Sequence, residues 1–360
     1  MSSTIAAATP AAATTREIPF EFRGSGSEYF RIWIVNLLLT IVTIGIYSAW
    51  AKVRRLRYFY GSTLLDDNSF EYHGQPLAIL KGRLIAFGAY LVLAIVTQFL
   101  PLAGLAFFPL VVFGVPWIIM RSRLFQMRMS SYRGLRFNFH GTYGDALGAY
   151  IGWAILAAIT LYILMPMWLW KRIRYLLGNA AYGNERFTFT TSTGVFFRFF
   201  FIAAGMFAVL GLVFLGLMAA LLGKLGAAAG DPQQLLMALF SGGGLLVLLA
   251  LVVLAIGIAG YYQKSLNNAA FGGLELGPHR VQSRLQSWPL VGIYVSNFVL
   301  IVLTLGLFYP WAKVRQYRYQ ITNMSLLAHG DLDQFTASAA EGTDAIGEEI
   351  GDFFDIDFGL

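Results

Sequence analysis

Four stretches of this 360-residue chain stay apolar for long enough to cross a bilayer: Leu84–Leu100, Gly104–Met120, Phe199–Leu222 and Leu235–Tyr262. A helix needs roughly 17–25 such residues to span the hydrocarbon core, whereas a membrane-barrel strand alternates apolar and polar positions over ~10. Three further apolar segments lie at about 29–50, 146–169 and 290–311 and end in basic clusters. Short polar stretches follow the apolar segments, and in FEYHG, RFNFHG and RFTF the period drops to two, which predicts strand, turn, strand. Five such hairpin-like elements are expected to form a small β layer against the membrane face.

Self-comparison organises the chain further. A shift of 117 residues places Phe20, Phe22 and Gly24 on Phe137, Phe139 and Gly141, Thr43 on Thr160, and Arg57-Tyr58 on Arg174-Tyr175. A shift of 261 places Asn36 on Asn297, Thr43 on Thr304, Gly45 on Gly306, and the run Trp50 to Arg54 on Trp311 to Arg315. The predicted fold is an α-helical polytopic membrane protein with internal repeats, ordered short, long, long, then short, long, long, then short. Its parts are a disordered tail at 1–18, repeats at 19–136 and 137–280, a truncated third repeat at 281–330, and an acidic, aromatic tail at 331–360.

The segments FEFRGSGSEYFRIWIVNLLLTIVTIGIYSAWAKVRRLRYFY, YGNERFTF and LTLGLFYPWAKVRQYRY carry a resemblance that spans nearly the whole chain. They resemble the YjgN-like family of bacterial inner-membrane proteins, a family of unknown function. In the second copy the repeated signature becomes ITLYILMPMWLWKRIR, with Tyr162 where the other copies have glycine. The resemblance implies an inner-membrane location, and a link to a membrane-associated metallopeptidase as partner. It brings no activity with it.

Charge bears on orientation. The net +7 joins a body of twenty-six bases and ten acids to a tail of nine acids and no base, so the body carries +16 and residues 331–360 carry −9. If all seven apolar segments cross once, the bases divide 15 to 11 between the two faces. If the short segments return to the face they entered, 25 bases lie on one side and Lys224 alone on the other. The positive-inside rule favours re-entry, with both termini cytoplasmic, although 23 or so residues are also enough for one crossing.

The candidate chemistry is sparse. Polar groups inside the short segments, Asn36, Thr40, Thr43, Thr160, Asn297 and Thr304, read as a polar membrane site or as internal helix bonding. Gly45 and Gly306 read as hinges. Trp50, Lys52, Arg54, Arg57, Lys171, Arg172, Arg174, Trp311, Lys313, Arg315 and Arg318 read as an interfacial belt or a contact with anionic lipids. Glycines 205, 211, 216, 242, 243, 244, 257 and 260 permit close helix packing. With no cysteine and four scattered histidines, no metal, cofactor or catalytic set is expected, and bases at the ends of apolar runs argue against nucleic acid. The tail places Phe353, Phe354, Ile356 and Phe358 among acids, as a docking strand for a protein partner would. Two functions follow: a transporter- or channel-like membrane protein for a small or lipid-like solute, or a membrane scaffold that binds a partner through its cytoplasmic face and tail.

Overall fold

The computed structural model describes residues 15–100, 103–225, 233, 237 and 242–341. Its strands are β1 (Thr15–Phe22), β2 (Thr63–Leu65), β3 (Asn68–Tyr72), β4 (Ser130–Tyr132), β5 (Leu135–Phe139), β6 (Ala180–Tyr182), β7 (Glu185–Phe189), β8 (Leu274–Leu276), β9 (His279–Ser283) and β10 (Met324–His329). They pair antiparallel around a closed barrel in the order β1-β10-β9-β8-β7-β6-β5-β4-β3-β2. This overturns the expected fold class, a helical membrane protein with only small hairpins. The hairpins are the staves of one barrel, which takes strands from along the chain between Thr15 and His329.

Closure depends on the ends of the chain. Four tight hairpins supply β2 to β9, and the fifth is assembled from β10 and β1, in register from Thr15↔His329 to Pro19↔Ser325. The second half of β1 then crosses to β2, with Phe20 opposite Leu65 and Phe22 opposite Thr63. A closed ring leaves no edge to aggregate. The four tight turns have two residues each. Asp66-Asp67 and Arg133-Gly134 have positive φ at both positions, as type I′ turns require, while Gly183 and Gly277 supply the left-handed first position of the other two.

The barrel is filled. Alternation turns Phe20, Phe70, Phe137 and Phe187 inward with Tyr132, Tyr182, Val281 and Leu326, and the rings of Phe70 and Tyr132 stack at 4.8 Å. The Tyr132 hydroxyl donates to the Leu65 carbonyl at 2.7 Å and the Tyr182 hydroxyl to that of Tyr132 at 3.0 Å, which satisfies both phenols inside an apolar core. Burial pushes the Tyr132 phenol up to about 12. Two residues further along the same stripe, Phe22, Tyr72, Phe139 and Phe189 close one rim and pack under the helices.

All tight turns lie at one end of the barrel, so every helical pair leaves from the opposite rim. There are two long pairs, α3 (Pro76–Phe99) with α4 (Ala103–Arg128), and α8 (Thr193–Leu225) with α9 (Gly242–Phe271). Each of these four helices contains a stretch long and apolar enough to cross a membrane. There are also three short pairs. These are α1 (Gly26–Val42) with α2 (Ser48–Gly61), then α5 (Tyr143–Leu147), a π-helical turn Gly148–Gly152 and α6 (Trp153–Ile159) with α7 (Met165–Gly178), then α10 (Ser287–Leu303) with α11 (Tyr309–Thr322). Each segment expected to be re-entrant is thus a helical hairpin that starts and ends at the rim. Of the helix glycines, Gly260 makes a close approach, since a Cβ there would lie 2.7 Å from Val291 Cγ2, while Gly205, Gly211, Gly216 and Gly257 face open space.

At the turn end, α12 (Leu332–Ala340) lies across the hairpin tips, with Leu332, Phe335 and Ala339 on the barrel core. β1 therefore begins inside the segment read as an N-terminal tail, and α12 occupies the start of the segment read as an acidic tail. Phe353, Phe354, Ile356 and Phe358 lie outside the described residues.

Candidate functional site

Each short hairpin turns on one threonine. The Thr43 hydroxyl donates to the Leu39 carbonyl at 2.7 Å and accepts the Tyr47 amide at 2.9 Å, so it ends α1 and starts α2 with one group. Thr304 does the same between Leu300 (2.6 Å) and Phe308 (2.9 Å), and Thr160 between Leu156 (2.9 Å) and Leu164 (3.3 Å). Each bond to the hydroxyl satisfies a helix-start amide that has no intrahelical acceptor. Gly45 and Gly306 sit in these turns at φ +88 and +92, each beside a left-handed apolar residue, Ile44 or Leu305. The second copy holds Leu161 and Tyr162 at +51 and +66, so Tyr162 adopts a conformation that favours glycine. The tips are apolar and open: Ile44 and Leu305 are each 94% exposed and Leu161 84%.

Below the tips, the returning helix is fastened to the outgoing one. Arg315 donates to the Asn297 side-chain oxygen at 3.0 Å and to Ser296 at 3.2 Å, while the Asn297 amide donates to the Ala312 carbonyl at 3.2 Å. In the first hairpin Arg54 reaches Asn36 at 3.4 Å, and the Thr40 hydroxyl donates to the Asn36 carbonyl at 2.6 Å. Asn36 and Asn297 are buried. The equivalent pair in the second hairpin is Trp153 and Lys171, whose ammonium lies 5.1 Å from the indole. At the rim, Tyr58, Tyr175 and Tyr319 donate to the carbonyls of Ser25, Thr142 and Gln286, tying each returning helix to the start of its partner.

The basic and aromatic residues divide by role. Trp50 packs with Ala49, Val53 and Ile79 between α2 and α3. Trp311 stacks on Phe30 at 4.7 Å and closes the seam between the third hairpin and α1. Arg57 donates to the Tyr72 and Gly74 carbonyls at 3.3 and 3.4 Å, and Arg318 to that of Gly24 at 2.6 Å, so both clamp a strand exit. Arg172 lies between the rings of Tyr150 and Trp168. Lys52 is half-buried and Lys313 exposed. Arg174 is exposed beside Trp170. It lines, with Lys171 and Arg186, an open cleft of about 630 Å³ between the second short hairpin and β7.

A second constellation, at the turn end, escaped the sequence reading. Arg133 pairs with Asp66 at 2.6 Å and with Asp333 of α12, which joins one hairpin tip to its neighbour and to the cap. His279 is 2% exposed, and its Nδ1 accepts the His329 amide at 3.2 Å. The Phe335 ring lies perpendicular to it with centroids 4.4 Å apart. Burial and the neighbouring His329 hold the His279 imidazole below its ordinary value. Only residues scattered over 66–335 build this end, so no local spacing announced it. Among the described residues there is no cluster of His, Cys, Asp and Glu that would hold a metal.

Comparison with known proteins agrees with this picture of a membrane protein. The inner membrane protein YjgN of Salmonella typhimurium strain LT2 is 26% identical over 87% of this chain and 88% of its own length. The inner membrane protein YjgN of Escherichia coli K12 is 32% identical over 34% of this chain and 31% of its own. No solved structure matches. A family model described as a bacterial protein of unknown function (DUF898) matches residues 17–353, and the chain belongs to that family.

Proposed function

We propose that the chain is an inner-membrane scaffold: a solid barrel held against the cytoplasmic face by two spanning hairpins and three re-entrant ones, offering its far end to a protein partner. The observation that carries this reading is that five helical pairs leave one rim of a barrel whose axis is filled with stacked aromatic rings. A 17-residue helix such as α1 or α10 extends about 25 Å, short of the ~30 Å core, and ends in an apolar turn. That suits insertion into one leaflet and return. Both termini then fall on the barrel side, where 25 of the 26 bases also fall, in keeping with the positive-inside rule.

Transport finds less support. The polar groups that suggested a solute path, Thr43, Thr160, Thr304, Asn36 and Asn297, spend their hydrogen bonds on the hairpins themselves. α12, which precedes the acidic residues in the chain, lies at the turn end of the barrel, away from the helical rim.

The test is purification from native membranes of the wild type and of a Phe353→Ser, Phe354→Ser, Phe358→Ser variant that keeps every charge. The expected result is a stoichiometric protein partner with the wild type and its loss with the variant. Identical partners in both preparations would remove the docking role of the tail. Solute flux through proteoliposomes of the purified chain would replace the scaffold reading with transport.

A further inference from the structure

We propose that the cleft between the second short hairpin and β7 is a site for the headgroup of an anionic phospholipid, with Lys171, Arg174 and Arg186 as its cationic lining and Trp153 as its floor. The inference rests on the placement of the helix-bearing rim at the bilayer surface given above. It differs in what it claims, a specific lipid site rather than a protein partner.

The three short hairpins are copies, so the second can be read against its siblings. In the first and third, the arginine that follows the tryptophan by seven residues clamps the next strand exit: Arg57 bonds the Gly74 carbonyl and Arg318 that of Gly24. The corresponding residue is Arg174. The strand-exit carbonyl equivalent to Gly74 belongs to Thr191, and it is taken instead by the indole N–H of Trp170, which donates at 2.8 Å. Trp170 stands where the siblings have Val53 and Val314. The substitution leaves the Arg174 guanidinium on the face of the Trp170 ring, 5.0 Å from its centroid, directed to the cleft and exposed.

The same holds one turn earlier. Arg54 and Arg315 are engaged by buried asparagines, whereas Lys171 has only the Trp153 and Trp170 rings, at 5.1 and 5.4 Å. Opposite them the outgoing helix is hollowed out. Ala149 stands where the siblings have Ile32 and Ile293, and Gly148–Gly152 runs as a π-helical turn, a feature often found where a helix serves a site. Arg186, on β7, closes the cleft from the barrel side. Among the described residues none of these three cations has a carboxylate within ion-pair distance. The one acid in the lining, Asp145, accepts the Thr142 hydroxyl at 2.7 Å at the helix start.

Three cations against one carboxylate, in an opening of about 630 Å³, suit a phosphate group with its glycerol. The side facing the apolar slope of α6, where Ile155, Leu156 and Ile159 are exposed, suits the acyl chains. That adjoining slope favours a lipid over free phosphate.

The full-length protein in a mild detergent, titrated with phosphatidylglycerol, phosphatidylcholine or inorganic phosphate and read by native mass spectrometry, tests this. Wild type should retain one phosphatidylglycerol in preference to phosphatidylcholine, and Lys171→Gln with Arg186→Gln should lower its retention at least about tenfold, roughly 1.4 kcal/mol. Arg31→Gln with Lys81→Gln, two exposed bases in the first turns of α1 and α3, removes the same charge at the same rim and should leave retention within twofold. Equal losses in the two variants would reduce the effect to surface charge and overturn the site. Displacement of the lipid by inorganic phosphate at equal concentration would overturn the lipid assignment. Thermal unfolding of each variant verifies folding, and Ala149→Phe, which fills the cleft at constant charge, should repeat the loss. Retention unchanged in that variant and in the first would refute the proposal while leaving the scaffold reading intact.

Discussion

Threonine at the tip of a helical hairpin does two jobs with one hydroxyl, and the chain repeats the device at 43, 160 and 304. Thr304→Val keeps the shape but leaves the Phe308 amide unpaired in an apolar setting, and should lower stability by about 1–2 kcal/mol. Thr97→Val on α3, where the hydroxyl bonds only carbonyls of the preceding turn, is the control and should lose less, as thermal unfolding in detergent would show. Gly45→Val forces a β-branched residue into a left-handed conformation and should cost about 1–2 kcal/mol or more, against a small effect for Ala89→Val on the exposed side of α3. Equal Tm shifts for the two valines would show that the turn bears no such strain. The sequence made these positions legible, because glycine and threonine recur at one spacing. It left open whether the threonines bond internally or face a polar path, since the same residue type inside an apolar run serves either purpose.

Among the elements, the long helices could be read directly from their apolar runs, and the short segments were read as capable of returning to their starting face. The barrel was not legible, for two physical reasons. Four of its strands are the three-residue pieces TLL, SSY, AAY and LEL, too short for a period of two to register against flanking helix. Its closing contact joins β1 to β10 across some 300 residues, and nothing local marks that pairing. The cap helix α12 shares this non-local origin, and it carries a pH-dependent prediction. His279 is held below its ordinary value in the docked state, so protons bind more tightly once the cap is released. Docking is therefore complete above about pH 6.5, the free imidazole value, and weakens as pH falls from there toward the docked value. Amide exchange across 332–340 should quicken between pH 7 and pH 5.5 after correction for intrinsic rates, and His279→Gln should flatten that dependence. Unchanged protection over this range would show that His279 does not couple to the cap.

At the scale of the whole molecule, pseudo-symmetry does the organising: a hairpin of strands and a hairpin of helices, five times around a ring, with helical length as the variable. The long pairs are apolar over enough length to cross a membrane, the short pairs end sooner, and the filled barrel keeps all five in register. The central claim, that every β element lies on one side of the membrane and every helical hairpin projects from that side, is open to a direct measurement because the chain has no native cysteine. Single substitutions Glu185→Cys, at the turn end, and Arg280→Cys, on the outer wall, place exposed thiols on the barrel, while Asp231→Cys places one in the chain segment that links α8 to α9. A membrane-impermeant maleimide applied to intact spheroplasts should label the Asp231→Cys protein and spare the other two, which should react after the membrane is opened. Labelling of Glu185→Cys or Arg280→Cys from outside intact spheroplasts would contradict the account.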